Sequence, residues 1–239
     1  MHPIFVGAGD IARCDVRRAR ERLVETEREY RLDLQRYGRE LTLDEANDRL
    51  ASDDQRIQEF LTAQKLPGER GAAAKDMILE IRWDHHNPDT KRLYPKHMIH
   101  ETIVTGYLEF GQAAQLLHGE KLPTIRLWTH WKNYVVGGVP DGVAKDYVYE
   151  FRATTRTGRD IETVKKQAVR QAQLYAFAFK RPRIKVQIAS FPMRSKNPFP
   201  LKAKEMPNPE LSTIFQPCTD EDALSALIEF DAAYSEVVY

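Results

Sequence analysis

An α/β fold, with a mixed central sheet flanked by helices and a helical region ahead of it, is what this sequence predicts. Three observations carry that expectation. Residues 10–64 hold two long charged stretches with helical spacing and helix stop signals between them. From residue 76 the pattern then runs strand, helix, three strands, helix, strand, helix, the order of a layered α/β domain. Last, a long amphipathic stretch after Asp160 separates two apolar strands, the unit of a right-handed parallel crossover. Residues 1–70 form the expected helical region, and 71–239 the sheet-bearing core with a C-terminal helix.

Each element has its own signal. Asp10 is placed to cap a helix that runs to about Tyr37, where Gly38 stops it. Thr42 and Glu45, three apart, make a capping box for a second helix over 42–64. "DMILEIRWD" alternates as a strand over 76–84, broken by Asn87 and Pro88. Apolar residues at helical spacing open near Pro95 and end near Gly119. "TIRLWTHW", "NYVVGGVPDGVA" and "YVYEFRATT" are three strands in close succession. "IETVKKQAVRQAQLYAFAF" is a helix and "RIKVQIASF" a strand. A loop rich in proline and lysine over 192–210 precedes the last helix, 221–237.

Composition excludes several classes. Of 239 residues, 42% are apolar, enough for a large core, and the formal net charge is +1. No run of about 18 apolar residues offers a membrane span. No secretory signal is visible, and two cysteines, Cys14 and Cys218, make no disulfide framework, so a cytoplasmic setting is expected. Charge is uneven, however. Between Phe151 and Lys204 there are fourteen lysines and arginines against Asp160 and Glu162 alone. A surface facing a polyanion is one reading; a solvated helix and loop is the other.

The chemistry gathers at "GGVPDGVAKDYVYEFRATT". Asp141 sits at a strand bend and Glu150 in an apolar strand, with Arg152 on the same face two residues on. Antiparallel neighbours joined this way bring the two carboxylates together, where they need a cation. A hard divalent ion taking oxygens from Asp141, Glu150 and a backbone carbonyl is one solution. A metal-free Asp–Arg–Glu cluster is the other. Gln171 and Tyr175 stand at i,i+4 on the next helix, one turn beyond Gln167. They either face nucleic acid, with stacking on Tyr175, or satisfy a buried carbonyl and fill the core.

In order and spacing, Gly138-Val-Pro-Asp141, Glu150-Phe-Arg152 and Gln171-Ala-Gln-Leu-Tyr175 resemble the G-x-x-D, D/E-x-K and Q-x-x-x-Y motifs of the PD-(D/E)XK nuclease superfamily. More narrowly the chain is similar to its RecB-like branch, which includes CRISPR-associated exonucleases. The resemblance covers about Tyr94 to Phe191. It implies a restriction-endonuclease-like core, and a Mg²⁺ or Mn²⁺ held by His100 of "MIHETI", Asp141, Glu150 and the carbonyl of Phe151. It further implies hydrolysis of DNA by a metal-activated water, leaving a 5′-phosphate, with Asp141, Glu150 and Arg152 as the catalytic set. Gln171, Tyr175, Lys165, Lys166 and Arg170 would lie along the DNA.

This sequence departs from the branch in two ways. Arg152 stands where a lysine is usual; arginine keeps the charge and can grip a phosphate bidentately, but it cannot transfer a proton. Lys165 or Lys166 could substitute for it from the helix. Two cysteines cannot ligate a [4Fe–4S] cluster with four thiolates, so no iron–sulfur cluster is expected. A catalytically weak or inert DNA-binding or adaptor protein is the alternative function. "DHHNPD" at 84–89 and the pair His97 and His100 are rival metal candidates; the first reads as a solvated turn and His97 as a helix-surface residue.

Overall fold

The computed structural model describes residues 2–63, 103–155, 159–192 and 199–238. The expected strand at 76–84, the boundary at residue 70, the histidine pairs and His100 lie outside them. Among the described residues the chain is mixed α/β, with seven α-helices and nine strands in three sheets. No described helix is long and apolar enough to cross a membrane.

The first segment differs from its expectation. A short strand β1, Ile4–Gly7, leads into α1, Ala8–Arg13; α2, Val16–Glu21, and α3, Leu23–Tyr37, follow. A single helix from Asp10 is prevented at Cys14, which takes the left-handed conformation (φ 51°) and closes α1. Asp15, not Asp10, acts as a cap: its carboxylate accepts from the Arg18 N–H of α2 at 3.0 Å. Asp10 is instead drawn into the interior, 1% exposed. Gly38 ends α3 at φ 75°, as expected. α4, Leu43–Ala63, opens with the expected capping box: Glu45 Oε2 accepts from Thr42 N–H at 3.0 Å, and Thr42 Oγ1 accepts from Glu45 N–H at 3.2 Å.

Beyond residue 102 come β2, Ile103–Val104, and α5, Tyr107–His118. Ile103 and Val104, expected within a helix, pair instead with β8, Leu201–Lys202. The three expected strands appear as β3, Leu127–Trp131; β4, Tyr134–Gly138; β5, Gly142–Val143; and β6, Tyr147–Thr154. Pro140 and Asp141 make the break between β4 and β5. α6, Arg159–Phe179, and β7, Arg183–Ser190, complete the crossover. A 3₁₀ turn, Ala203–Glu205, then leads to β9, Glu210–Pro217, and α7, Asp220–Val238.

One sheet has the order β1-β4-β3, with β1 parallel and β3 antiparallel to β4. Another has the order β5-β6-β7-β9, in which only the central pair, joined through α6, is parallel. That parallel pair is the crossover predicted over 147–191. Strand β6 alternates between two cores. Tyr149 and Phe151 pack with Phe110 and Ala114 of α5 on one side, while Val148 packs with Ala168, Ala172 and Tyr175 of α6 on the other. Glu150 and Arg152 share the Val148 side, so the period of the strand carries both charged side chains beneath α6. The same core includes Val6 and Ile11, so the N-terminal segment and the sheet are packed together.

Candidate active site

Asp141 follows the break after β4, and its carboxylate turns toward β6. Oδ2 accepts the Phe151 N–H at 2.7 Å, and Oδ1 accepts from Gln115 Nε2 of α5 at 2.8 Å. A short antiparallel ladder, Gly142 opposite Tyr149, sets that approach. Glu150 is 1% exposed. Its Oε1 lies 2.5 Å from Arg152 Nη1, while its Oε2 has no hydrogen-bond partner. Burial, reinforced by the Asp141 charge, pushes the Glu150 carboxyl up to about 8, against the opposing pull of Arg152. The direction is upward because one guanidinium serves one oxygen and leaves the other dry.

Arg152 is the hub. Nη1 reaches Glu150 and also donates to the Phe151 carbonyl at 3.2 Å; Nη2 donates to Gln171 Oε1 at 2.6 Å. Gln171 Nε2 in turn donates to the Tyr175 hydroxyl at 3.1 Å. That phenol lies across Gly138, where an added Cβ would fall 2.6 Å from its oxygen. Residues 138, 150, 152, 171 and 175 thus form one physical chain, and this accounts for their spacing: the strand presents Arg152 to the α6 face on which Gln171 and Tyr175 sit one turn apart.

The side chains on that α6 face have different surroundings. Tyr175 is 5% exposed, with its ring in the core rather than open to a base, and burial raises its hydroxyl well above the usual phenol range. Arg170 is paired with Glu229 of α7 at 2.8 Å, and Lys165 with Glu162 at 2.8 Å. Lys166 faces solvent. Lys165 is thus paired one turn back along α6. The wider basic stretch is matched in space by acids from elsewhere: Lys180 by Asp220, Arg183 by Asp146 and Lys185 by Glu120. Among the described residues, part of the excess counted along the chain is thus offset by acids brought in by the fold.

The donor set can be tested against a divalent metal. Asp141, the dry Oε2 of Glu150 and the Phe151 carbonyl are hard oxygen donors on or against strand β6, and an unpartnered buried carboxylate oxygen suits a cation. They suit Mg²⁺ or Mn²⁺ in kind. No group of three or more histidine, cysteine or acidic side chains gathers among the described residues, and His100 is not one of these. The Arg152 guanidinium, meanwhile, holds one of these donors, the Phe151 carbonyl, and the other oxygen of Glu150. Gln115 is a site residue the sequence did not single out; one polar residue on an amphipathic helix carries no signal of its own.

No known family model matches the chain, and no curated protein matches its sequence.

Proposed function

We propose that the chain is a divalent-metal-dependent DNA nuclease with a restriction-endonuclease-like core of the RecB-like kind, formed by α5, β3–β6, α6 and β7. The observation that supports it best is the Glu150 carboxylate: fully buried, one oxygen without a donor among the described residues, on the strand whose Phe151 N–H holds Asp141. Asp141, Glu150 and the Phe151 carbonyl would hold the ion, with His100 as a further ligand. A bound Mg²⁺ or Mn²⁺ supplies an acidified water and offsets the charge on the phosphate. Gln115 and the Phe151 N–H orient Asp141. Arg152 acts by moving: while it holds Glu150 and the carbonyl the donors are engaged, and on release its fork is free for a phosphate oxygen. Gln171 and Tyr175 set where that fork rests.

A second reading rests on the same arginine. If the guanidinium is the permanent cation of the site, the protein binds DNA without cutting it. Labelled single- and double-stranded DNA incubated with Mn²⁺ separates the two. Cleavage by the wild type that Asp141→Ala abolishes supports the nuclease. Binding without cleavage, in the wild type and in Arg152→Lys alike, overturns it in favour of the second reading.

A further inference from the structure

Outside the motif residues, charge converges most densely at the start of the chain. Asp10 is 1% exposed, yet three arginines reach it: Arg13 Nη2 at 3.0 Å and Arg18 Nε at 3.2 Å to Oδ1, and Arg22 Nη1 at 3.5 Å to Oδ2. Among the described residues Arg22 alone of the three has a second acid, Glu25, at 3.0 Å. Asp10 and Glu25 face three guanidiniums, so these ion pairs leave one positive charge over. Each guanidinium also carries five N–H donors, and among the described residues most of those on Arg13 and Arg18 have no acceptor. The Arg13 Nε is buried and without a partner. The three side chains remain 30%, 48% and 34% exposed, so the cluster opens to solvent rather than closing into the core.

The cluster borders the candidate active site. A Cβ placed on Gly9 would lie 3.2 Å from Arg13 Nη2 and 3.2 Å from Gln171 Oε1, the oxygen that holds Arg152. The absence of a side chain at Gly9 is what lets the two groups face each other. The Arg13 charge is felt at Glu150, where it opposes the upward shift. Planar guanidinium forks beside a buried carboxylate suit an oxyanion, and next to the proposed phosphodiester-cleaving centre the oxyanion at hand is a phosphate.

We propose that Arg13, Arg18 and Arg22, gathered on the buried Asp10 and bordering Gln171 across Gly9, form an oxyanion subsite that holds a backbone phosphate of the nucleic-acid strand next to the reacting one. This rests on the nuclease reading for its ligand. Asp10 is a positioning residue: it touches no phosphate, and it fixes the forks that do.

The test is binding of a labelled single-stranded DNA oligonucleotide in EDTA, where no cleavage occurs, over a range of salt. Arg18→Gln removes one fork from the cluster. Arg17→Gln removes the same charge from the neighbouring position, which is 88% exposed and sits near Glu21 rather than Asp10. The expected result is about tenfold weaker binding for Arg18→Gln, with a salt slope smaller by about 1, and less than about twofold change for Arg17→Gln. Arg18→Lys, which keeps the charge and loses the fork, should fall between. Thermal melts establish that each variant is folded. Equal losses for the two glutamine variants, or no loss in either, overturn the subsite. Wild type that fails to cut with Mn²⁺ but binds in an Arg18-dependent way sinks the nuclease reading and leaves the subsite standing. Wild type that binds no DNA sinks both.

Discussion

Among the described residues the Glu150 carboxylate pairs with Arg152 alone, at 2.5 Å, and its protonation should govern both stability and activity. An unfolded glutamate titrates near 4.5; buried here it titrates at about 8. Between these values the folded chain binds a proton that the unfolded chain has released. The stabilisation is therefore complete below pH 4.5 and is lost as pH rises through 8, on the order of one kcal/mol for each unit crossed. Melting temperatures should fall from pH 5 to pH 8, and Glu150→Gln should flatten that part of the slope. Metal-dependent cleavage should rise over the same interval, because the ion competes with the proton. Arg152→Lys should raise the Mn²⁺-dependent rate about tenfold or more, since one ammonium cannot hold Glu150, the Phe151 carbonyl and Gln171 together. The motif residues were legible because short connections bring them together: a strand bend, the next strand and the helix after it. Gln115 was not, for it reaches Asp141 from 26 positions away with no pattern to mark it.

Among the elements, the helix ends were read most reliably where a local rule acts alone. Gly38 and the Thr42–Glu45 box are such places, and Thr42→Ala should cost about 1 kcal/mol in a urea titration. Readings failed where tertiary contacts overrule the local pattern. "IFVG" is too short to show a period and becomes a strand only because β4 offers it an edge. Asp10 has the chemistry of a cap but is captured by three arginines. The β4 strand depends on its glycines: an added Cβ at Gly137 would fall 2.0 Å from the Trp128 ring. Gly137→Ala should destabilise the fold by about 3 kcal/mol or more, measured by denaturant unfolding, since the indole is fixed by its N–H to Asp33 at 2.9 Å.

Over the whole molecule, the general α/β class and the parallel crossover could be foreseen from element order. The distribution of charge could not. A count along 151–204 is a one-dimensional sum, and folding sets Glu229, Asp220, Asp146 and Glu120 against it. Val6, Ala8 and Ile11 share a core with α6 and α7, so deleting residues 1–22 should abolish the cooperative thermal transition of the remainder.

Ile4–Gly7 lies alongside Tyr134–Gly138 as a parallel neighbour. A ribosome must add some 130 further residues between the two, which at about 5–20 residues per second is on the order of ten seconds. Throughout that interval the nascent chain carries a short apolar segment without its mate, and a chaperone or a neighbouring nascent chain has its opening there.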